Sequence, residues 1–382
     1  MTKLKFLLYC FISTLIFFGC ITEYLVRGID EISDILVVEG FITDNETIIR
    51  LSRSVNLADD TSSVNVHDAI VYLECDDGTQ WRATNLYLGR YDIKTGQLNP
   101  ERKYRLKIEI EEPDFDCISD NNGETPCSSK IYEYWSEFTH PIITAEIDSI
   151  FWIKRGAGQP VMIHVATGAL NDESLYYLWS YKEDWEINAN YFVAGYPFYC
   201  WNTANNTEIL LGTSEKNVSG QLIEKIAEIS SSNLKLSILY RIDVKQNAIS
   251  KQAYDYFNNI KKNVEQMGSI FAPTPAELKG NIICITDPRK PVIGYVEVST
   301  TTYKKEYISG EAVYEDDNLL DCTIYSESEL QAMFPPAEGL PWNPPPYYIR
   351  IIEGSYPAFI LQRCADCRFF GTLLKPNDWP NN

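Results

Sequence analysis

The run ILVVEGFIT at residues 35–43 sets the reading of the first half of the chain, because six more like it follow. They are TIIRLS (47–52), HDAIVYLEC (67–75), QWRA (80–83), NLYLGRYDI (85–93), KYRLKIEI (103–110) and IYEYWSEF (131–138). Each is short, rich in β-branched and aromatic residues and bounded by turn formers, which is the pattern of strands. Asp76-Asp77-Gly78 and Lys94-Thr95-Gly96 supply hairpin-turn chemistry. Seven strands over residues 35–141 predict an N-terminal antiparallel β-sandwich of immunoglobulin or fibronectin size, ending near His140-Pro141. The acidic stretch from Pro113 to Cys127 reads as an insertion at one end of it.

Residues 142–382 read as a second β-rich domain with two helices, giving a mainly β protein overall. VMIHVATG (161–168) and LYYLWSYKEDWEI (175–187) predict a long hairpin turning at Asn171-Asp172-Glu173. Alternation puts Tyr177, Trp179 and Tyr181 on one face of its second strand. A short helix is expected over 219–229, where Leu222, Ile223, Ile226 and Ile229 fall at helical spacing. A longer one is expected over 250–267, striped by Ala253, Phe257, Ile260 and Val264 and stopped by Gly268. Strands return at LKLSILYRIDV (234–244), NIICIT (281–286), PVIGYVEVSTTTY (291–303), KKEYIS (304–309) and YYIRII (347–352). FPPAEGLPWNPPPYY (334–348) carries too many prolines for a central strand and reads as an ordered or polyproline-type loop. Its Trp342, Tyr347 and Tyr348 are the candidate partner-binding residues; packing against its own domain is the competing reading.

At 382 residues the chain has material for two or three domains, and 45% apolar residues, 13% aromatic, are enough to order it. A formal charge of −20 sets it against phosphate backbones, so no nucleic-acid partner is expected.

The opening MTKLKFLLYCFISTLIFFGC has a positive start at Lys3 and Lys5, an uncharged run from Phe6 to Phe18, and Gly19-Cys20 at its end. That run falls short of the ~20 apolar residues that span a bilayer, so residues 1–19 read as an export signal. Gly-Cys at its end is similar to a bacterial lipobox, which makes Cys20 the lipidation site and residues 20–34 a tether. The expected partner of Cys20 is membrane lipid.

Cys10 falls in the signal and Cys20 takes the lipid, leaving Cys75, Cys117, Cys127, Cys200, Cys284, Cys322, Cys364 and Cys367 as disulfide candidates in an oxidising compartment. Eight cysteines permit 105 pairings. Cys117 and Cys127 flank a polar loop that a local bridge would tie off. Cys364-Ala-Asp-Cys367 has redox spacing, but Phe369, Phe370 and Gly371 follow in place of a helix. Two half-cystines bridged to distant partners such as Cys200 and Cys322 are the expected arrangement.

No catalytic residue, metal site or cofactor is expected. His67, His140 and His164 sit in separate elements without a motif, and His164 alternates within a strand. No G-x-S-x-G, phosphate loop or dinucleotide fingerprint occurs. Asp59-Asp60, Asp76-Asp77 and Glu315-Asp316-Asp317 lack the alternating ligands of a calcium loop and read as solvated acidic loops. A surface enzyme acting on glycan or peptide through a carboxylate pair stays as the alternative, since such a pair is set by the fold rather than by spacing.

Taken together, several pieces resemble the domain-of-unknown-function 4249 family of outer-membrane lipoproteins from Bacteroidota. They are Cys20, LVVEGFITD (36–44), YRLKIEI, IDSIFW (147–152), Cys200-Trp201, PAELKGNI (275–282), IGYVEVST, Cys322, and CADCR with Gly371, Lys375-Pro376 and Trp379. Cys75, Cys117, Cys127 and Cys284 stand outside the resemblance. The resemblance implies an accessory lipoprotein encoded beside a TonB-dependent receptor barrel, working in uptake or assembly at the outer membrane, on its periplasmic or cell-surface face. It carries no catalytic residues.

Overall fold

The computed structural model describes residues 34–55, 63–113, 129–168, 175–215, 221–266, 278–315, 322–336, 338, 341–353 and 356–380. The expected leader, the tether but for Asp34, Cys117, Cys127, Asn171 to Glu173 and Gly268 lie outside them, Cys20 among these.

All seven sandwich runs form strands. One sheet holds β1 (Leu36–Ile42), β2 (Asn45–Arg53), β3 (Val64–Asn65), β6 (Thr84–Asn85) and β7 (Arg90–Gly96); the other holds β4 (Ile70–Cys75), β5 (Gln80–Arg82), β8 (Tyr104–Pro113) and β9 (Ser129–Ser136). Their alternate residues meet in one core, among them Leu36, Ile49, Leu73, Ile93, Leu106, Ile108, Tyr132 and Tyr134. The Asp76 to Gly78 turn joins β4 to β5 as expected, with Gly78 at φ +88°. Lys94 to Gly96 makes no hairpin: β7 pairs β2 and β6, while β8 pairs β4 and β9 in the facing sheet.

The sandwich does not end at 141. Three late strands complete it: β17 (Ile282–Cys284) adds to β9, and β18 (Val292–Gly294) and β19 (Glu297–Val298) run parallel to β1. Ile282, Cys284, Val296 and Val298 join the first core. The parallel pairing departs from the all-antiparallel arrangement expected.

A second pair of sheets follows. β10 (Ile147–Lys154), β11 (Val161–Gly168) and β15 (Gln221–Ile229) form one; β12 (Tyr176–Asn188), β13 (Tyr199–Asn205), β14 (Leu210–Thr213), β16 (Leu239–Ile249) and β20 (Thr301–Ser309) form the other. Tyr177 and Trp179 face the core they share, with Tyr181 partly buried against it, as alternation requires. Gln246, fully buried there, accepts from the Trp179 indole at 2.7 Å and donates to the Ala145 carbonyl at 2.7 Å, so the polar group is satisfied.

Two expectations fail here. The hairpin of 161–187 is absent, because β11 pairs β10 and β15 whereas β12 pairs β13, β14 and β16. The segment 219–229 is no helix either: its described part is strand β15. The cause is a bulge. Ile163 faces Ala227 and His164 faces Lys225, so Ile226 is an extra residue in the ladder. Leu222 is buried before the bulge, Ile226 at it, and Ala227 and Ile229 after it, and the offset imitates helical spacing. Ile223, needed for the helix stripe, is 52% exposed. The long helix does form, as α1 (Lys251–Gln266), with Ala253 buried and Phe257 stacked on Phe41 of β1 at 5.8 Å between ring centroids.

Cys75 and Cys284 are free and buried, which corrects the expectation that every remaining cysteine is bridged. They sit on β4 and β17, three strands apart in one sheet; at about 4.8 Å per strand that is roughly 14 Å, far beyond disulfide reach. Both pack as small apolar residues, and burial pushes the Cys75 thiol above its ordinary value.

The outer face of the β12–β16 sheet carries a buried ion pair. Arg241 Nε and Nη2 donate to Asp184 Oδ2 at 3.2 and 2.5 Å, and Thr203 donates to the other oxygen. Burial alone would raise the Asp184 carboxyl, but these bonds outweigh it and hold it below the ordinary 3.8. The C-terminal segment crosses above: Thr372 bridges to Trp201, Arg241 Nη1 donates to the Asn377 carbonyl at 2.9 Å, and the Trp379 indole donates to Glu186 at 3.0 Å.

Candidate functional site

The described residues from 322 to 370 fold into a small cap. β21 (Tyr325–Ser326), β22 (Tyr348–Glu353) and β23 (Tyr356–Leu361) pair antiparallel, and helix α2 (Glu327–Met333) starts on a Ser326/Glu329 capping box. Ile349, Ile360, Cys364 and Ala365 make its central cluster, with Ile324, Ile351 and Tyr191 leaning on them, and Leu330, Ala358 and Phe359 are buried as well. So small a core needs staples. Two disulfides provide them: Cys322–Cys364 inside the cap, and Cys200–Cys367 from the cap to β13.

The Cys-x-x-Cys pair is thereby explained. Each sulfur is committed to a distant partner, Cys200 and Cys322 as expected, so the two are not a redox couple with each other. Between them the buried Asp366 carboxylate accepts from the Arg368 amide at 3.0 Å and its guanidinium at 2.9 and 2.7 Å, shaping the turn that separates the half-cystines. The Arg368 guanidinium holds that carboxyl below its usual range.

The described residues of the Pro-rich segment lie on this cap. Trp342 turns inward: its indole donates to the Phe334 carbonyl at 2.9 Å and its ring meets Phe359 edge-on at 5.7 Å. Tyr348 is half-buried in β22 against Phe334 and Tyr325, whereas Tyr347 is 49% exposed. The three candidates thus lie on one cap, with only Tyr347 well exposed.

The larger apolar surface comes from residues that the sequence did not single out. Phe192, Ile352 and Tyr356 are each close to 80% exposed around a groove of about 800 Å³, floored by Val193, Ile351 and Pro357 with Arg350 at its rim. Period-2 alternation in β22, with Ile349 and Ile351 inward and Ile352 outward, was the available signal. Phe192 arrives from the 189–198 loop and is invisible to any local pattern. Its ring continues the surface through Phe198, at 6.1 Å, to Tyr199.

Among the described residues no three His, Cys, Asp or Glu side chains gather as a metal set, and no helix is long and apolar enough to cross a membrane. His164 lies mid-strand in β11, stacked on Phe151 at 5.3 Å. The arrangement is that of a β-protein of packed sheets whose disulfide-locked cap shows an apolar rim to solvent. The chain belongs to the family described as domain of unknown function (DUF4249), whose model matches residues 21–116 and 128–305. The cap lies beyond the matched residues. A comparison with curated proteins finds no match.

Proposed function

We propose that the protein is a lipid-anchored, non-catalytic accessory subunit of an outer-membrane complex, held by acylated Cys20 and docked through its cap onto a β-barrel partner of the TonB-dependent receptor type. The observation that carries this reading is the exposed Phe192, Ile352 and Tyr356 rim on a cap stapled by two disulfides. Large apolar groups left in water on a stiff frame mark interaction surfaces, because little entropy is lost when they are covered. Tethering supplies the rest: an anchored chain reaches its partner at high effective concentration, so a modest interface suffices. The strong negative charge keeps the body off anionic head groups, leaving docking to the apolar rim.

Changing Ile352 and Tyr356 together to Ser should lower co-purification with the barrel from solubilised membranes about tenfold or more, with the melting temperature almost unmoved. Intact co-purification would sink the docking role, and a collapse of stability would show the rim to be packing. Cys20→Ala should move the chain from the membrane fraction to the soluble fraction or leave an uncut precursor. Unchanged membrane partition with the leader removed would overturn the anchor.

A further inference from the structure

A second cavity, of about 380 Å³, opens where the β1–β2 hairpin meets the outer face of the β16–β20 pair. That volume is within the range of small-molecule sites. Lys245 of β16 and Tyr303 of β20, direct partners in the ladder, form one wall; Phe41, Asp44 and Ile48 form the other. Gly40, at φ +144°, leaves bare backbone between them, since a Cβ there would come within 2.5 Å of the Ile48 carbonyl oxygen.

Two ionisable side chains of this cavity, Lys245 and Asp44, are left without a counter-ion among the described residues. The Lys245 ammonium has no ion pair or hydrogen bond among the described residues, although burial lowers it below the ordinary value. Glu46, the acidic group acting on it, is paired with Lys94. Across the cavity, Asp44 Oδ1 is buried with no donor, and burial raises that carboxyl. Opposite charges that line one space without joining leave room for a molecule whose ends match both.

We infer that the cavity binds a small zwitterion of amino-acid type, its carboxylate on Lys245, its ammonium on Asp44 and its side chain against Phe41, Ile48 and Tyr303. A multiply charged anion such as a phosphate ester would meet the Asp44 and Glu46 carboxylates. A neutral polyol would leave both half-buried groups without a counter-charge. A zwitterion pairs each of them. The site is separate from the cap and independent of any role given to it.

Titration calorimetry on the purified full-length chain tests the site with L-leucine, L-phenylalanine and glycine as probes. N-acetyl-leucine, leucinamide and glucose serve as charge-deleted and neutral comparisons. Saturable binding of leucine or phenylalanine is expected, weaker by about tenfold or more for each charge-deleted analogue, as loss of a charge-assisted hydrogen bond dictates. Lys245→Met and Asp44→Asn should each weaken it similarly. No heat from any zwitterion, equal binding of the analogues or glucose, or binding that survives both substitutions overturns the proposal. If the variants fail to fold, the analogue series on the unaltered chain still decides.

Discussion

Replacing Arg241 by Met should destabilise the protein by about 3–5 kcal/mol, since it leaves the fully buried Asp184 carboxylate with no guanidinium to answer it. Thr203 and Lys182 remain nearby, but a hydroxyl and a half-exposed ammonium 3.4 Å away do not replace two charge-assisted bonds. The same change frees the Asn377 carbonyl and the C-terminal segment with it. Denaturant unfolding of the two proteins measures the loss, and a difference under 1 kcal/mol would show the pair to be solvated. The pH dependence has a definite sign. The folded carboxyl lies below its unfolded value of 3.8, so the stabilisation is complete above that value and is lost as pH falls through the folded one. The variant should lack this component of acid unfolding.

Removing the staples should unfold the cap while sparing the sheets beneath it. The Cys322–Cys364 bridge closes 42 residues and Cys200–Cys367 closes 167, and chain-entropy reasoning puts each at about 4–5 kcal/mol as an upper figure. A cap with so few buried side chains has no comparable reserve. With all four cysteines changed to Ser, limited proteolysis should cut within 322–380 and leave residues up to about 313 resistant. Equal resistance in the variant would mean that the cap stands on packing alone. Reduction of the native protein should reproduce the pattern.

What the sequence makes legible is local. Short β-branched and aromatic runs between turn formers find the strands of the first sandwich, and the stripe Ala253, Phe257, Ile260, Val264 finds α1, because neighbours in the chain carry those signals. The bulge at Ile226 defeats the same method by shifting the period midway through a strand. Pairing is not local. Nothing near Val161 says that it will face Lys154 and Ile229 rather than the following strand. The fates of Cys364 and Cys367 were readable because the residues after them forbid a redox helix, whereas Cys75 and Cys284 look like any other half-cystines until the sheet sets them three strands apart. The cap groove was hidden for the same reason as the Lys245 cavity: each is assembled from segments far apart in sequence, Phe192 with Ile352 in one and Asp44 with Lys245 in the other.

The late strands β17 to β19 impose an order of events on the growing chain. Leu36 waits for Val292, Phe41 for Glu297 and Tyr134 for Cys284, so a chain emerging from its N-terminus carries the open edges of β1 and β9 past everything that folds in between. Until residue 298 is available those edges are sticky, able to pair with each other or with a neighbouring copy. By then the middle sheets have every strand but β20 (Thr301–Ser309), so most of their pairings have the chance to settle first. The first-made part of this protein is among the last to be finished, and a chain truncated before 282 would be left with its oldest strands unsealed.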